Sequence, residues 1–91
     1  MSVYVDKIMP CEPNKNWKYN HSCHLIADTV AELHSFAASL GLKESWFQSK
    51  TIPHYDLTRN KRREAVTLGA KEIDFASARR FIKLFRQRLG D

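Results

Sequence analysis

Residues 29–41 constrain the fold more than any other stretch of this chain. Thr29 and Glu32 are spaced as a capping box, and Val30, Leu33, Ala37 and Leu40 recur at helical spacing with Phe36 beside them. Gly41 is placed to end the helix in a left-handed conformation. A helix with one apolar stripe must bury that stripe against another layer. With 91 residues, 43% hydrophobic and 27% charged, the chain has material for one small core, so a single domain over residues 1–91 is expected. A chain this short buries only about two-thirds of its unfolded surface. A homodimer contact, a bound metal or a ligand would be a natural supplement to such a core.

Around that helix the pattern alternates. Residues 2–6, SVYVD, place β-favouring side chains ahead of an aspartate and predict a short strand ending at Asp6. Residues 7–20 hold two prolines, three asparagines and four charges, which predicts a long loop of the kind that is often functional. Trp17 in that loop is either a lid or stacking residue or an aromatic folded back over the core. Residues 21–27 turn apolar and lead into the helix, and His34 flanks its apolar stripe as a packed or partly exposed residue. Residues 42–48 read as a second strand, giving a right-handed βαβ unit with parallel strands. After a turn at Pro53, Asp56 or Thr58 caps a helix running to Leu68 and closed by Gly69. Residues 70–73 are a third strand candidate, and Asp74 or Ser77 caps a last helix with Phe75, Phe81 and Phe85 on its apolar stripe. The expected architecture is α/β: a small three-strand, mostly parallel sheet in β-α-β-α-β-α order with helices packed on it.

Charge and cysteine content bear on partners and compartment. A formal charge of +5 favours a polyanionic partner, a nucleotide or nucleic acid, or else a solvated basic face. No apolar run approaches a membrane span and MSVYVDK lacks the apolar core of a secretion signal, so a cytoplasmic protein with no membrane partner is expected. Cys11 and Cys23 then read as reduced thiols. With His21 and His24 they have residue types that suit zinc, at a spacing that is not that of a zinc finger or ribbon.

Chemically useful side chains crowd into residues 46–63, WFQSKTIPHYDLTRNKRR. Arg59, Lys61, Arg62 and Arg63 fall in the first turns of the predicted helix, where the dipole disfavours cations and an anion would offset them. Either Asp56 or Glu64 supplies that charge, or a phosphate bound at the helix N-terminus does. Asp6, His24, His54 and Asp56 make a mixed oxygen and nitrogen set for a divalent ion such as Mg, Mn or Zn, with His54 and Asp56 one residue apart. The competing reading makes Asp56 a helix cap and Asp6 a turn residue.

Several motifs fall in order along the chain: Tyr4-Val5-Asp6, then His24-Leu25-x-Ala27-Asp28 leading into Glu32-Leu33-His34-x-Phe36-Ala37-x-x-Leu40-Gly41-Leu42. Trp46-Phe47-Gln48, His54-Tyr55-Asp56-Leu57 and Arg62-Arg63-x-Ala65-x-x-Leu68-Gly69-Ala70 follow. Together, over residues 3–70, they resemble the small bacterial and phage family catalogued as domain of unknown function 4031. The resemblance implies a domain identity and no mechanism. Its motif positions here would be Tyr4, Asp6, His24, Asp28, His34, Trp46, Gln48, His54, Tyr55, Asp56 and Arg62, and neither cysteine belongs to it.

Three functional expectations follow. In the first, the chain is a binding module for a phosphate-bearing ligand at the carboxyl edge of the sheet. Gln48, His54, Tyr55, Arg59, Arg62, Arg63 and Trp17 line the site, the arginines pairing with phosphate and the aromatics stacking on a base. In the second it is a divalent-metal-dependent phosphoesterase or nuclease, with His24, His54 and Asp56 as catalytic candidates and Asp6 beside them as a ligand. In the third it is a protein-interaction or dimerisation module built on the last helix.

Overall fold

The computed structural model describes residues 2–15, 17–49 and 52–73, and the element order is β1 (Val3–Val5), β2 (Met9–Pro10), β3 (His21–Ala27), α1 (Val30–Ser39), a 3-10 turn (Glu44–Trp46), β4 (Tyr55–Leu57), α2 (Arg59–Thr67) and β5 (Lys71–Glu72). The last helix expected from the sequence, with Phe75, Phe81 and Phe85, lies outside the described residues.

The protein is a small α/β fold with a mixed sheet of five strands, and β3 is its hub. It pairs antiparallel with β1, β2 and β4, and among the described residues only β1 with β5 is parallel. The expected three-strand, mostly parallel sheet is therefore corrected in strand number and in direction. Two local misreadings explain it. Residues 21–27, taken as an apolar lead-in to α1, are the longest strand, with Cys23, Leu25 and Ala27 buried on one face by the period-two alternation. Residues 42–48, taken as a strand, hold the 3-10 turn; Trp46 is 52% exposed, so its β propensity had no sheet surface to pack against. The 7–20 loop carries the short strand β2 and an isolated Asn14–Trp17 bridge.

Both helices formed where their caps placed them. Thr29 Oγ1 accepts from the Glu32 amide at 3.1 Å at the start of α1, and Thr58 Oγ1 accepts from the Lys61 amide at 3.2 Å at the start of α2. Thr58, not Asp56, is thus the cap, which leaves the Asp56 carboxylate to other partners. Gly41 (φ 76°) and Gly69 (φ 108°) follow the helix ends in the left-handed region that side chains disfavour. Lys61 extends back to hold α1, its Nζ donating to the Leu40 carbonyl at 2.8 Å.

One face of the sheet makes the main core. Val3, Val5, Cys23, Leu25, Tyr55 and Leu57 pack there with Leu33, Ala37 and Leu40 of α1 and Ala65 of α2. Val30, expected on the stripe, is 38% exposed at the helix start. Because neighbouring residues of a strand point to opposite faces, the same alternation sends Tyr4, His24, Ile26 and Asp56 to the other side. There Ile26 and Ile52 form a smaller apolar cluster with Tyr4 and Ile73. Among the described residues no helix is long and apolar enough to cross a membrane.

Candidate metal centre

The register of the sheet assembles the site. His24 pairs directly with Asp56 across β3 and β4. The Asp6 amide continues the β1–β3 ladder by donating to the His24 carbonyl at 3.3 Å. Asp6, His24 and Asp56 therefore form a row across three strands on the face away from the helices. His54, two residues before Asp56, shares that face and is held by an isolated bridge to Gln48.

His24, His54 and Asp56 each offer a ligand atom, and these atoms lie within 4.8 Å of one another. His24 Nε2 is 4.0 Å and His54 Nε2 3.6 Å from Asp56 Oδ1, and the two rings meet edge to face at 5.1 Å. Metal bonds of 2.0–2.2 Å place neighbouring ligand atoms roughly 3–3.6 Å apart, so small side-chain rotations close the triangle around one ion.

Each of the three is oriented by a partner. The His24 Nδ1 lies 2.7 Å from Asp6 Oδ2, while Asp6 Oδ1 accepts from the His24 backbone amide at 2.6 Å. The His54 Nδ1 lies 2.7 Å from the Ile52 carbonyl oxygen. A carboxylate and a carbonyl only accept, so both imidazoles carry their proton on Nδ1 and leave Nε2 as a lone pair. Gln48 donates through Nε2 to Asp56 Oδ2 and leaves Oδ1 toward the histidines. Partners of this kind fix the tautomer and aim of ligands in metal proteins.

Exposure is graded across the cluster. The His54 side chain is 13% exposed, Asp56 27% and His24 50%, so one side is walled and the other open to water. The Asp6 carboxylate on Nδ1 raises the His24 imidazolium above its usual range; partial burial opposes the shift and Asp56 adds to it. Protons and a cation therefore compete for Nε2.

Several expectations take a different form. Asp6, expected as a metal ligand, has both oxygens engaged by His24 and orients that residue instead. Tyr55, expected to stack on a ligand base, is 1% exposed in the core, and its hydroxyl lies 2.7 Å from His34 Nδ1. Strand alternation turns it inward while His54 and Asp56 turn outward. Arg62, expected in an arginine patch, donates through Nε to the Asp6 carbonyl at 2.7 Å and through Nη1 to Glu72 at 2.9 Å, tying the end of β1 to β5. Arg59 and Arg63 remain exposed on α2 without an acidic partner among the described residues. The site lies on a sheet face, not at a carboxyl edge, since β3 and β4 run antiparallel. The cysteine-histidine cluster does not assemble: Cys23 is buried on the opposite face from His24, its thiol pushed up to about 12 by burial, and Cys11 Sγ sits 3.6 Å from the Tyr19 carbonyl.

An open groove of about 970 Å³ is lined by Asp56, Gln48, Trp46, Trp17, Lys18 and Tyr19 among others. Trp17 is held in its wall by its indole N–H, which donates to the His21 carbonyl at 3.0 Å. The Ile52 carbonyl, the role of Asp6 and the turn of Trp46 toward this groove were not readable from spacing. The one available signal was the alternation in residues 21–27, which puts His24 outward.

Fold and site together define a small mixed α/β protein with a histidine–histidine–aspartate cluster on the sheet face opposite α1 and α2. The chain matches, over residues 3–87, the family model described as Protein of unknown function (DUF4031), and it belongs to that family. No curated protein and no solved structure matches it.

Proposed function

We propose that this protein is a divalent-metal-dependent phosphoesterase whose ion is held by His24 Nε2, His54 Nε2 and Asp56 Oδ1. The observation that carries the reading is the pair of Nδ1 contacts, His24 to Asp6 and His54 to the Ile52 carbonyl, which turn both Nε2 lone pairs toward one carboxylate oxygen. A fortuitous polar cluster has no need of three separately oriented members. Three protein ligands and an open side are the arrangement of a catalytic rather than a structural site. Two imidazoles and a carboxylate suit Zn or Mn better than Mg.

A divalent ion held by His24, His54 and Asp56 would supply Lewis acidity, making a water oxygen nucleophilic near neutral pH. Hydrolysis there would join the water oxygen to phosphorus as the ester P–O bond breaks. The proton released from the water is returned to the departing alkoxide, giving a phosphomonoester and an alcohol from a phosphodiester. Asp6 keeps His24 in the ligating tautomer, and Gln48 holds Asp56. A phosphate-bearing substrate accords with the charge of +5.

The test is hydrolysis of bis(4-nitrophenyl) phosphate by metal-stripped protein resupplied with Mn, Zn or Mg. Ion-dependent turnover that falls about a hundredfold or more in Asp56→Ala and His54→Ala is expected. Absence of turnover with every ion would remove the enzymatic reading.

A further inference from the structure

We infer that the groove beside the metal centre takes single-stranded nucleic acid, with bases on its aromatic side chains and phosphates on its lysines. This rests on the proposed phosphoesterase and names its substrate class. Asp56 and Gln48 line the groove, so a strand lying in it meets one of the proposed metal ligands and its orienting partner. Its walls carry Trp17, Tyr19 and Trp46, three flat surfaces of the kind on which successive bases stack irrespective of sequence.

Two of these rings come with a cation already in place. Lys18 Nζ lies 5.5 Å from the Tyr19 ring centroid, and Lys43 Nζ lies 5.7 Å from that of Trp46. An aromatic surface with an ammonium beside it matches a nucleotide unit, which presents a base and a phosphate together. Lys15 adds a further positive charge to the lining, and neither Lys15 nor Lys18 has an acidic partner among the described residues. Tyr19 and Trp46 are 38% and 52% exposed, so both rings are accessible from solvent.

Shape selects the strand over other occupants. The volume of about 970 Å³ is at the upper end for a small-molecule site, and the groove is open along its length. A mononucleotide would leave most of it empty. A duplex hides its base faces within its own stack, so Trp46 and Tyr19 would have nothing to cover them.

The experiment is fluorescence anisotropy of a labelled oligothymidylate of about a dozen nucleotides. Metal-stripped protein is used in EDTA, so that binding is read without hydrolysis. Binding is expected at low salt, weakening steeply between about 50 and 200 mM salt. Trp46→Ala should weaken it about fivefold or more while Trp46→Phe retains most of it, because a phenyl face still stacks. Lys15→Ala with Lys18→Ala should lower the salt slope by roughly 0.7 per lysine. Unlabelled oligothymidylate should compete, and thymidine monophosphate or a duplex of equal length should not. Because this assay holds no metal, its outcome separates a failure of the groove from a failure of the metal centre. No anisotropy change at low salt, equal competition by the mononucleotide or duplex, or unaltered binding in Trp46→Ala and the lysine double variant would each overturn the proposal.

Discussion

His24 and Asp56 stand directly opposite one another across β3 and β4, with His24 Nε2 4.0 Å from Asp56 Oδ1. Register alone creates this proximity. A slip of one residue in that pairing would send Asp56 to the helix-covered face and Tyr55 to the open one. The core thus specifies the site: Tyr55 and Leu57 must bury, and burying them presents His54 and Asp56 together.

Asp6 is a positioning residue, and its replacement should be read in metal affinity and in the titration of His24. Asp6→Asn keeps an oxygen for the His24 amide but removes the charge that holds the imidazole proton on Nδ1. Zinc affinity should fall about 10- to 100-fold. The His24 pKa, followed by NMR in metal-free protein, should fall back toward the ordinary histidine value of about 6.5. An unchanged His24 titration would show that Asp6 does not control this residue.

The raised His24 pKa sets opposite pH trends for stability and metal binding. In metal-free protein the folded-state pKa lies above the unfolded value near 6.5, so the protonated His24–Asp6 pair stabilises fully below that value. This contribution is lost as pH rises through the folded pKa. Metal binding needs the deprotonated ring and should strengthen over the same interval. Thermal unfolding of wild type and His24→Gln from about pH 6 to pH 9 should show the wild-type advantage shrinking as pH rises. A constant difference would contradict the pairing.

The two helices were legible because their signals are local. Thr29 with Glu32, Thr58, Gly41 and Gly69 each act within a turn of chain, and the helix ends fall at them, Thr58 being the one of the two cap candidates of α2 that is used. The sheet was not, because strand direction depends on partners far along the chain. Residues 21–27 read as an apolar lead-in to the helix until β1, β2 and β4 pair with them and Cys23 and Leu25 are buried. The Trp46-Phe47 pair reads as a strand until the chain spends it on a turn at the groove. Residue type suggests Asp6, His24, His54 and Asp56 as one ligand set, whereas Asp6 and Gln48 as orienting partners required the register.

The same locality makes the cap of α2 testable. Thr58→Ala should cost about 1 kcal/mol of unfolding free energy, because the Lys61 amide loses its acceptor. Leu25→Ala, at a fully buried position of β3 in the main core, should cost about 2–5 kcal/mol. Urea denaturation of both variants checks the order. A Thr58→Ala cost equal to that of Leu25→Ala would mean that α2 carries more of the fold than its cap and single buried alanine indicate.

The most direct test of the metal centre is calorimetric titration of metal-stripped protein with Zn and Mn, in parallel for wild type, His54→Ala and Asp56→Ala. The account predicts one ion per chain in the wild type and loss of that binding in both variants, with the far-UV circular dichroism of His54→Ala unchanged. Absence of saturable binding in the wild type, or equal binding in all three proteins, would contradict it.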